Sequence, residues 1–215
     1  MEETVLRRLL VRAGRDLYRQ GMMAGTAGNL SARLDESRVL ITPSGVAKGR
    51  LRTEDLIVIS MDGKVLEGRG KPSSETGMHL AIYQRFPQVM AVIHAHPPMA
   101  TALAAAHRLL AVEALAEALY LLGSVPVVPY LPPGSQQLAE RVADALQQGD
   151  GALLQNHGAV TVGTTVEAAR CKMEVLEALA GVTFRAVRLG GAVPLPPAEV
   201  ERLRGLWQQR RWLSE

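Results

Sequence analysis

The stretch Val92-Ile93-His94-Ala95-His96-Pro97 constrains this chain more than any other. Two histidines stand one residue apart at the end of the apolar run 89–93. In a strand, residues i and i+2 project to the same face. The two imidazoles therefore stand side by side, at a spacing that suits one metal ion. Imidazole nitrogen binds zinc at roughly 2.0–2.1 Å, and a catalytic zinc usually keeps three protein ligands and an open position. A fold organised around this strand must bring in a third ligand, a base and a pocket for the reacting molecule.

His157 is the candidate third ligand. It lies in the turn Asn156-His157-Gly158, between apolar strands expected at 151–154 and 159–162, where it can reach a strand end. Asn and Gly are also ordinary turn residues, so this motif alone is weak. Glu75 falls in the first turn of a helix expected over about 75–86. A carboxylate there is favoured by the helix dipole alone; beside a metal it becomes a general base or a fourth ligand. His79 shares the face of Glu75 one turn later and reads as a core or helix-surface residue. His107, in an Ala-rich polar turn, reads as incidental.

Three more stretches share one character: Gly28-Asn29, Ser44-Gly45 and Ser73-Ser74. Each joins hydroxyl or amide groups to a glycine or a helix start. Backbone N–H groups in such places bind phosphate without a basic side chain. Singly each is a turn or a cap. Beside a metal, together they point to a phosphorylated ligand.

The surrounding pattern predicts hairpins at 29–42 and 151–162, strands at 56–60 and 125–128, and helices over about 3–20, 113–121, 136–148, 166–188 and 198–210. Ser73 or Ser74, Ser135, and Thr164 or Thr165 are expected N-caps. Paired strands with interspersed helices argue for a mainly antiparallel sheet with helices packed on it. No repeat or linker divides the 215 residues, so one domain over 1–215 is expected. With only two Phe and two Trp, the core must be built from Leu, Val, Ala and Met.

Net charge is +3, but Arg and Glu alternate along the helices and no basic stripe with aromatics occurs, which argues against nucleic acid. The single cysteine excludes a disulfide framework. An acidic opening and the lack of any ~20-residue apolar window predict a cytoplasmic protein with no membrane segment. None of Lys48, Lys64, Lys71 and Lys172 sits in an evident apolar pocket, so Schiff-base chemistry is not expected.

Taken in order, Gly-Thr-Ala-Gly-Asn-Leu-Ser at 25–31, Thr-Pro-Ser-Gly at 42–45, Pro-Ser-Ser-Glu at 72–75, His-Ala-His at 94–96 and Asn-His-Gly at 156–158 resemble the class II aldolase/adducin family. The likeness spans about residues 5–190. It implies an α/β fold, a three-layer α/β/α sandwich with a central, mainly antiparallel sheet. It implies a homotetramer with active sites at subunit interfaces, and one Zn2+ per subunit on His94, His96 and His157. Glu75 would be an additional ligand that swings away to act as acid/base. The ketose phosphate would lie against Gly28, Asn29, Ser44, Gly45, Ser73 and Ser74. The implied reaction is reversible cleavage of a ketose 1-phosphate, of the L-fuculose 1-phosphate type, to dihydroxyacetone phosphate and an aldehyde such as L-lactaldehyde.

The chain departs from that pattern on the aldehyde side. A family tyrosine that donates a proton aligns with Leu115, with Tyr120 out of register, and residues 200–215 hold Trp207 and Trp212 but no Tyr. Two other family activities therefore stay open, methylthioribulose-1-phosphate dehydration and sugar-acid-phosphate decarboxylation. Family epimerases carry aspartate where Glu75 stands. A non-catalytic, adducin-like assembly module would be expected to have lost the metal ligands.

Overall fold

The computed structural model describes residues 2–213. Eight strands form one sheet: β1 Asn29–Arg33, β2 Arg38–Ile41, β3 Ile57–Ser60, β4 Val65–Glu67, β5 Ala91–Ala95, β6 Val127–Val128, β7 Gly151–Leu154 and β8 Gly158–Gly163. Their order across the sheet is β4-β3-β2-β1-β5-β8-β7-β6. All neighbours pair antiparallel except β6 with β7. The expected hairpins are present as β1–β2 and β7–β8.

Seven helices cover the sheet: α1 Glu3–Arg19, α2 Thr76–Arg85, α3 Pro98–Ala105, α4 Ala116–Leu122, α5 Gln136–Ala145, α6 Val166–Arg188 and α7 Pro197–Arg210. Strand residues alternate between two apolar clusters, as a two-faced sheet requires. On β5, Ala91, Ile93 and Ala95 join the cluster under α1, α3, α4, α6 and α7. Val92 joins the cluster under α2 and α5. The architecture is a three-layer α/β/α sandwich with a mainly antiparallel centre. No described helix is long and apolar enough to cross a membrane.

Several local expectations are revised. The helix expected over 113–121 is a short 3-10 turn at Val112–Ala114, then α4, with Leu115 extended between them. The 125–128 strand is only two residues long, because it is the short parallel edge beside β7. Ser135 and Thr165 do cap α5 and α6 through their side chains. Neither Ser73 nor Ser74 holds the N-cap of α2: Glu75 does, without a side-chain cap bond. Its backbone N–H donates to Ser73 Oγ instead (3.2 Å), which leaves the carboxylate free to turn inward.

Candidate active site

β5 lies at the middle of the sheet, between β1 and β8, with His94 in register with Asn29 on one side and Val160 on the other. Because residue 94 shares a face with Val92, His94 points to the α2 side and is completely buried. His96 lies just past the strand end, its N–H held by the Met22 carbonyl (2.9 Å). His157 enters from the β7–β8 turn. The ligand atoms offered by His94, His96 and His157 all lie within 4.8 Å of one another.

Gly158 makes that gathering possible. A Cβ on it would lie 2.5 Å from the Ala95 carbonyl oxygen, 2.7 Å from His96 Cδ2 and 3.3 Å from His94 Cε1. Only glycine lets β8 pass this close to both rings.

Glu75 completes the set. Its Oε2 lies 3.2 Å from His94 Nε2 and its Oε1 lies 3.4 Å from His157 Nε2. His94 Nδ1 donates to the Ala159 carbonyl (2.9 Å), so that ring turns its Nε2 to the centre. There His96 Nε2 lies 3.1 Å away. Two ligands of a tetrahedral ion with bonds of 2.0–2.1 Å lie roughly 3.3 Å apart. Glu75 Oε1, although buried, has no hydrogen-bond partner among the described residues. Three nitrogens and an unpartnered carboxylate oxygen facing one point could hold a cation between them, and this N/O donor set fits zinc.

The electrostatics agree. Burial pushes the His96 imidazole down to about 4, helped by His94 and His157, and pushes His157 down as well. Neutral imidazole is the form that binds a metal. Burial alone would raise the Glu75 carboxyl. His94, the Asn29 amide and His157 outweigh it and hold the carboxyl well below the usual carboxylate range.

The predicted phosphate stretches come together only in part as expected. Ser44 N–H donates to the Lys71 carbonyl (2.9 Å) and Ser73 N–H to the Thr42 carbonyl (3.2 Å), so these two turns are tied side by side. The backbone N–H groups of Gly45 and Ser74 have no hydrogen-bond partner among the described residues. Gly28 has φ +75°, and a Cβ there would meet the His94 carbonyl oxygen at 2.9 Å. Asn29 is committed elsewhere: its Nδ2 donates to Glu75 Oε2 (2.8 Å).

Sequence reasoning missed Lys48. It is 1% exposed, with its Nζ donating to the carbonyls of Thr26 and Val46 (2.9 Å each). It thereby braces the two glycine turns against each other. Burial lowers its ammonium to about 8. Lys172 is buried too, but paired with Asp150 (2.7 Å). The sequence did not show that either lysine is buried, but each ammonium has polar partners rather than an apolar pocket. α1 packs over the stem of Lys48, with a Cβ built on Gly14 lying 3.5 Å from Lys48 Cβ.

A three-layer sandwich that gathers three imidazoles and a carboxylate at the end of its central strand defines the class: a class II aldolase-like fold with a candidate metal centre. The chain belongs to the class II aldolase and adducin family, whose N-terminal-domain model matches residues 8–184. It is 39% identical over 188 residues to a 3-oxo-tetronate 4-phosphate decarboxylase of Haemophilus influenzae, covering 86% of this chain and 89% of that one. It is 37% identical over 168 residues to an L-fuculose phosphate aldolase of Methanococcus maripaludis, covering 78% and 90%. Among solved structures, an L-fuculose 1-phosphate aldolase superposes with a TM-score of 0.89 at 30% identity, covering 97% of this chain and 98% of that one.

Proposed function

We propose that this chain is a metal-dependent lyase of phosphorylated sugar derivatives. It breaks a C–C bond one carbon from a ketone and leaves the enediolate of dihydroxyacetone phosphate. The observation that carries this reading is the convergence of His94, His96 and His157 on the unpartnered carboxylate oxygen of Glu75. Zinc on the three imidazoles would supply Lewis-acid stabilisation of the negative charge that develops on substrate oxygens. Glu75, ionised and close to that point, moves the proton at the carbon where the bond breaks. The backbone of the turns at Gly28, 44–45 and 73–74 takes the phosphate, whose binding energy comes from a group remote from the reacting bond.

Two cleavages deliver the same fragment. Aldol cleavage of a ketose 1-phosphate, of the L-fuculose 1-phosphate type, releases an aldehyde; the reverse step needs an acid to protonate the aldehyde oxygen. Decarboxylation of a 3-oxo sugar-acid phosphate releases CO2, which leaves without a proton donor. One proton is taken up at the former carboxyl-bearing carbon, giving dihydroxyacetone phosphate. Leu115 carries no hydroxyl, and it packs against the core. The Tyr120 ring lies under the Arg210 guanidinium, 4.2 Å from it. The missing acid favours decarboxylation, and likeness to a decarboxylase supports it. Aldol cleavage is the second reading, supported by Glu75 and by likeness to aldolases.

The test is a panel of 3-oxo sugar-acid 4-phosphates and ketose 1-phosphates, offered to zinc-loaded protein. Equal release of CO2 and dihydroxyacetone phosphate from the acids is expected. Aldehyde plus dihydroxyacetone phosphate from the ketoses would favour aldol cleavage. Cleavage of neither class would refute lyase chemistry. A homotetramer with sites at its interfaces also belongs to this reading. The exposed Val182, Phe184, Val187 and Leu189 near the end of α6 support such an association.

A further inference from the structure

β1 and α2 face each other as a polar zipper inside an otherwise apolar layer. Asn29, Ser31 and Arg33 project from one face of β1, and Glu75, His79 and Tyr83 from one face of α2. Two strand residues advance about 6.7 Å and four helix residues about 6.0 Å, so the two rows keep step. His79 sits at the centre of this zipper with 0% exposure. Its Nε2 lies 2.5 Å from Asn29 Oδ1 and its Nδ1 lies 2.6 Å from Ser31 Oγ. Ser31 Oγ in turn lies 2.8 Å from the Tyr83 hydroxyl.

The direction of every bond in this chain follows from the Glu75 end. A carboxylate only accepts, so Asn29 must offer it Nδ2. That turns Asn29 Oδ1 to His79, whose Nε2 must then carry the proton. Nδ1 is left as the acceptor, so Ser31 donates to it, and Tyr83 donates to Ser31. We infer that His79 is a positioning residue: held as the Nε2–H tautomer between Ser31 and Asn29, it fixes the Asn29 amide so that its N–H points at Glu75. Burial, which drives the His79 imidazole down to about 3, keeps it in the singly protonated form that this order requires. The opposite tautomer would turn the Asn29 carbonyl toward the carboxylate and repel it from its place.

The inference rests on the proposed role of Glu75, and its test has an arm independent of catalysis. In zinc-loaded protein, 15N–1H correlation spectra should show His79 protonated at Nε2 and bare at Nδ1. A proton on Nδ1, or on both nitrogens, overturns the inference even if no substrate is known. The second arm reads deuterium exchange into dihydroxyacetone phosphate. His79→Leu should lower kcat for exchange roughly 100-fold, the cost of a small displacement of a reacting group. KM and zinc content should stay near wild type. His79→Gln, whose amide can both donate to Asn29 and accept from Ser31, should recover most of the loss. In an Asn29→Ala background, His79→Leu should cost little more.

Additive losses in the double variant, or no rescue by Gln, would overturn the inference while leaving lyase chemistry intact. Absence of exchange in the wild type would instead strike the proposed function, and the spectra would still decide the tautomer. Melting temperatures identify a His79→Leu protein that has failed to fold, in which case the Gln variant and the spectra carry the test.

Discussion

His107 and Asn156, both with φ of +54°, are the two non-glycine residues in the left-handed region among those described, and they hydrogen-bond to each other. His107 Nε2 donates to Asn156 Oδ1 at 3.1 Å. Asn tolerates that conformation better than most residues. Here it sets the turn that aims the next residue, His157, at the candidate metal. Asn156→Ala removes the bond and leaves a strained backbone, at a cost of about 1–2 kcal/mol. Faster zinc loss to a chelator is expected with it. Asn156→Gly relieves the strain and should melt near wild type. Equal zinc retention in Asn156→Ala and wild type would show that the turn does not aim the ligand.

Gly158 tests the same site from the other side. Gly158→Ala drives a methyl group into the Ala95 carbonyl and the His96 ring. Overpacking of this kind costs typically 1–3 kcal/mol. Because the obstruction includes two candidate ligands, the variant should lose zinc affinity along with stability. A denaturant titration together with zinc analysis checks both. A stable variant with full zinc content would mean the rings can give way without disturbing the site.

Removing a ligand and removing the base should have different signatures. His94→Ala should purify with little zinc and no lyase activity. Glu75→Gln keeps a neutral isostere beside the three imidazoles and should keep zinc. It should slow proton exchange at the reacting carbon by roughly 10²–10⁴-fold, the usual contribution of a positioned base. Zinc stoichiometry and exchange rates separate the two variants. Wild-type exchange in Glu75→Gln would remove the carboxylate from the proton-transfer role.

How much of this was legible in the sequence depends on the range over which each feature is decided. The His94/His96 pair follows from strand period alone, and the cap at Ser135 from residue type alone, while residue type left the α6 cap between Thr164 and Thr165. The hairpins β1–β2 and β7–β8 needed only local turns. The pairing of β1 with β5 is different: it joins residues 29–32 to 91–94, and no local pattern specifies it. That pairing sets Asn29 in register with His94, where its amide meets Glu75 at the start of α2, a contact that the local turn pattern could not show. His79 shows the same limit. Its helix spacing from Glu75 was visible, but its partner Ser31 was not, and a histidine without a visible partner reads as core. Lys48 stayed hidden because its burial is decided by α1, Glu3–Arg19, a helix distant in the chain.

Lys48 makes a pH-dependent prediction with a definite sign. Its folded-state ammonium is lowered from 10.5 to about 8, because burial disfavours the charge. It forms no ion pair with any described carboxylate; its partners are two carbonyls. Between pH 8 and 10.5 the unfolded chain still holds the proton that the folded chain has released. The unfolded state then binds more protons, so stability rises with pH across this window. Below pH 8 both states are charged, and the folded protein carries the full penalty of the buried charge. Relative to Lys48→Met, the wild type should therefore gain on the order of 3 kcal/mol between pH 8 and 10.5. The difference should be flat between pH 6 and 7. Urea titrations of both proteins at intervals across this range measure it directly. A constant difference would mean that Lys48 titrates as it does in water, and that α1 does not seal its stem from solvent.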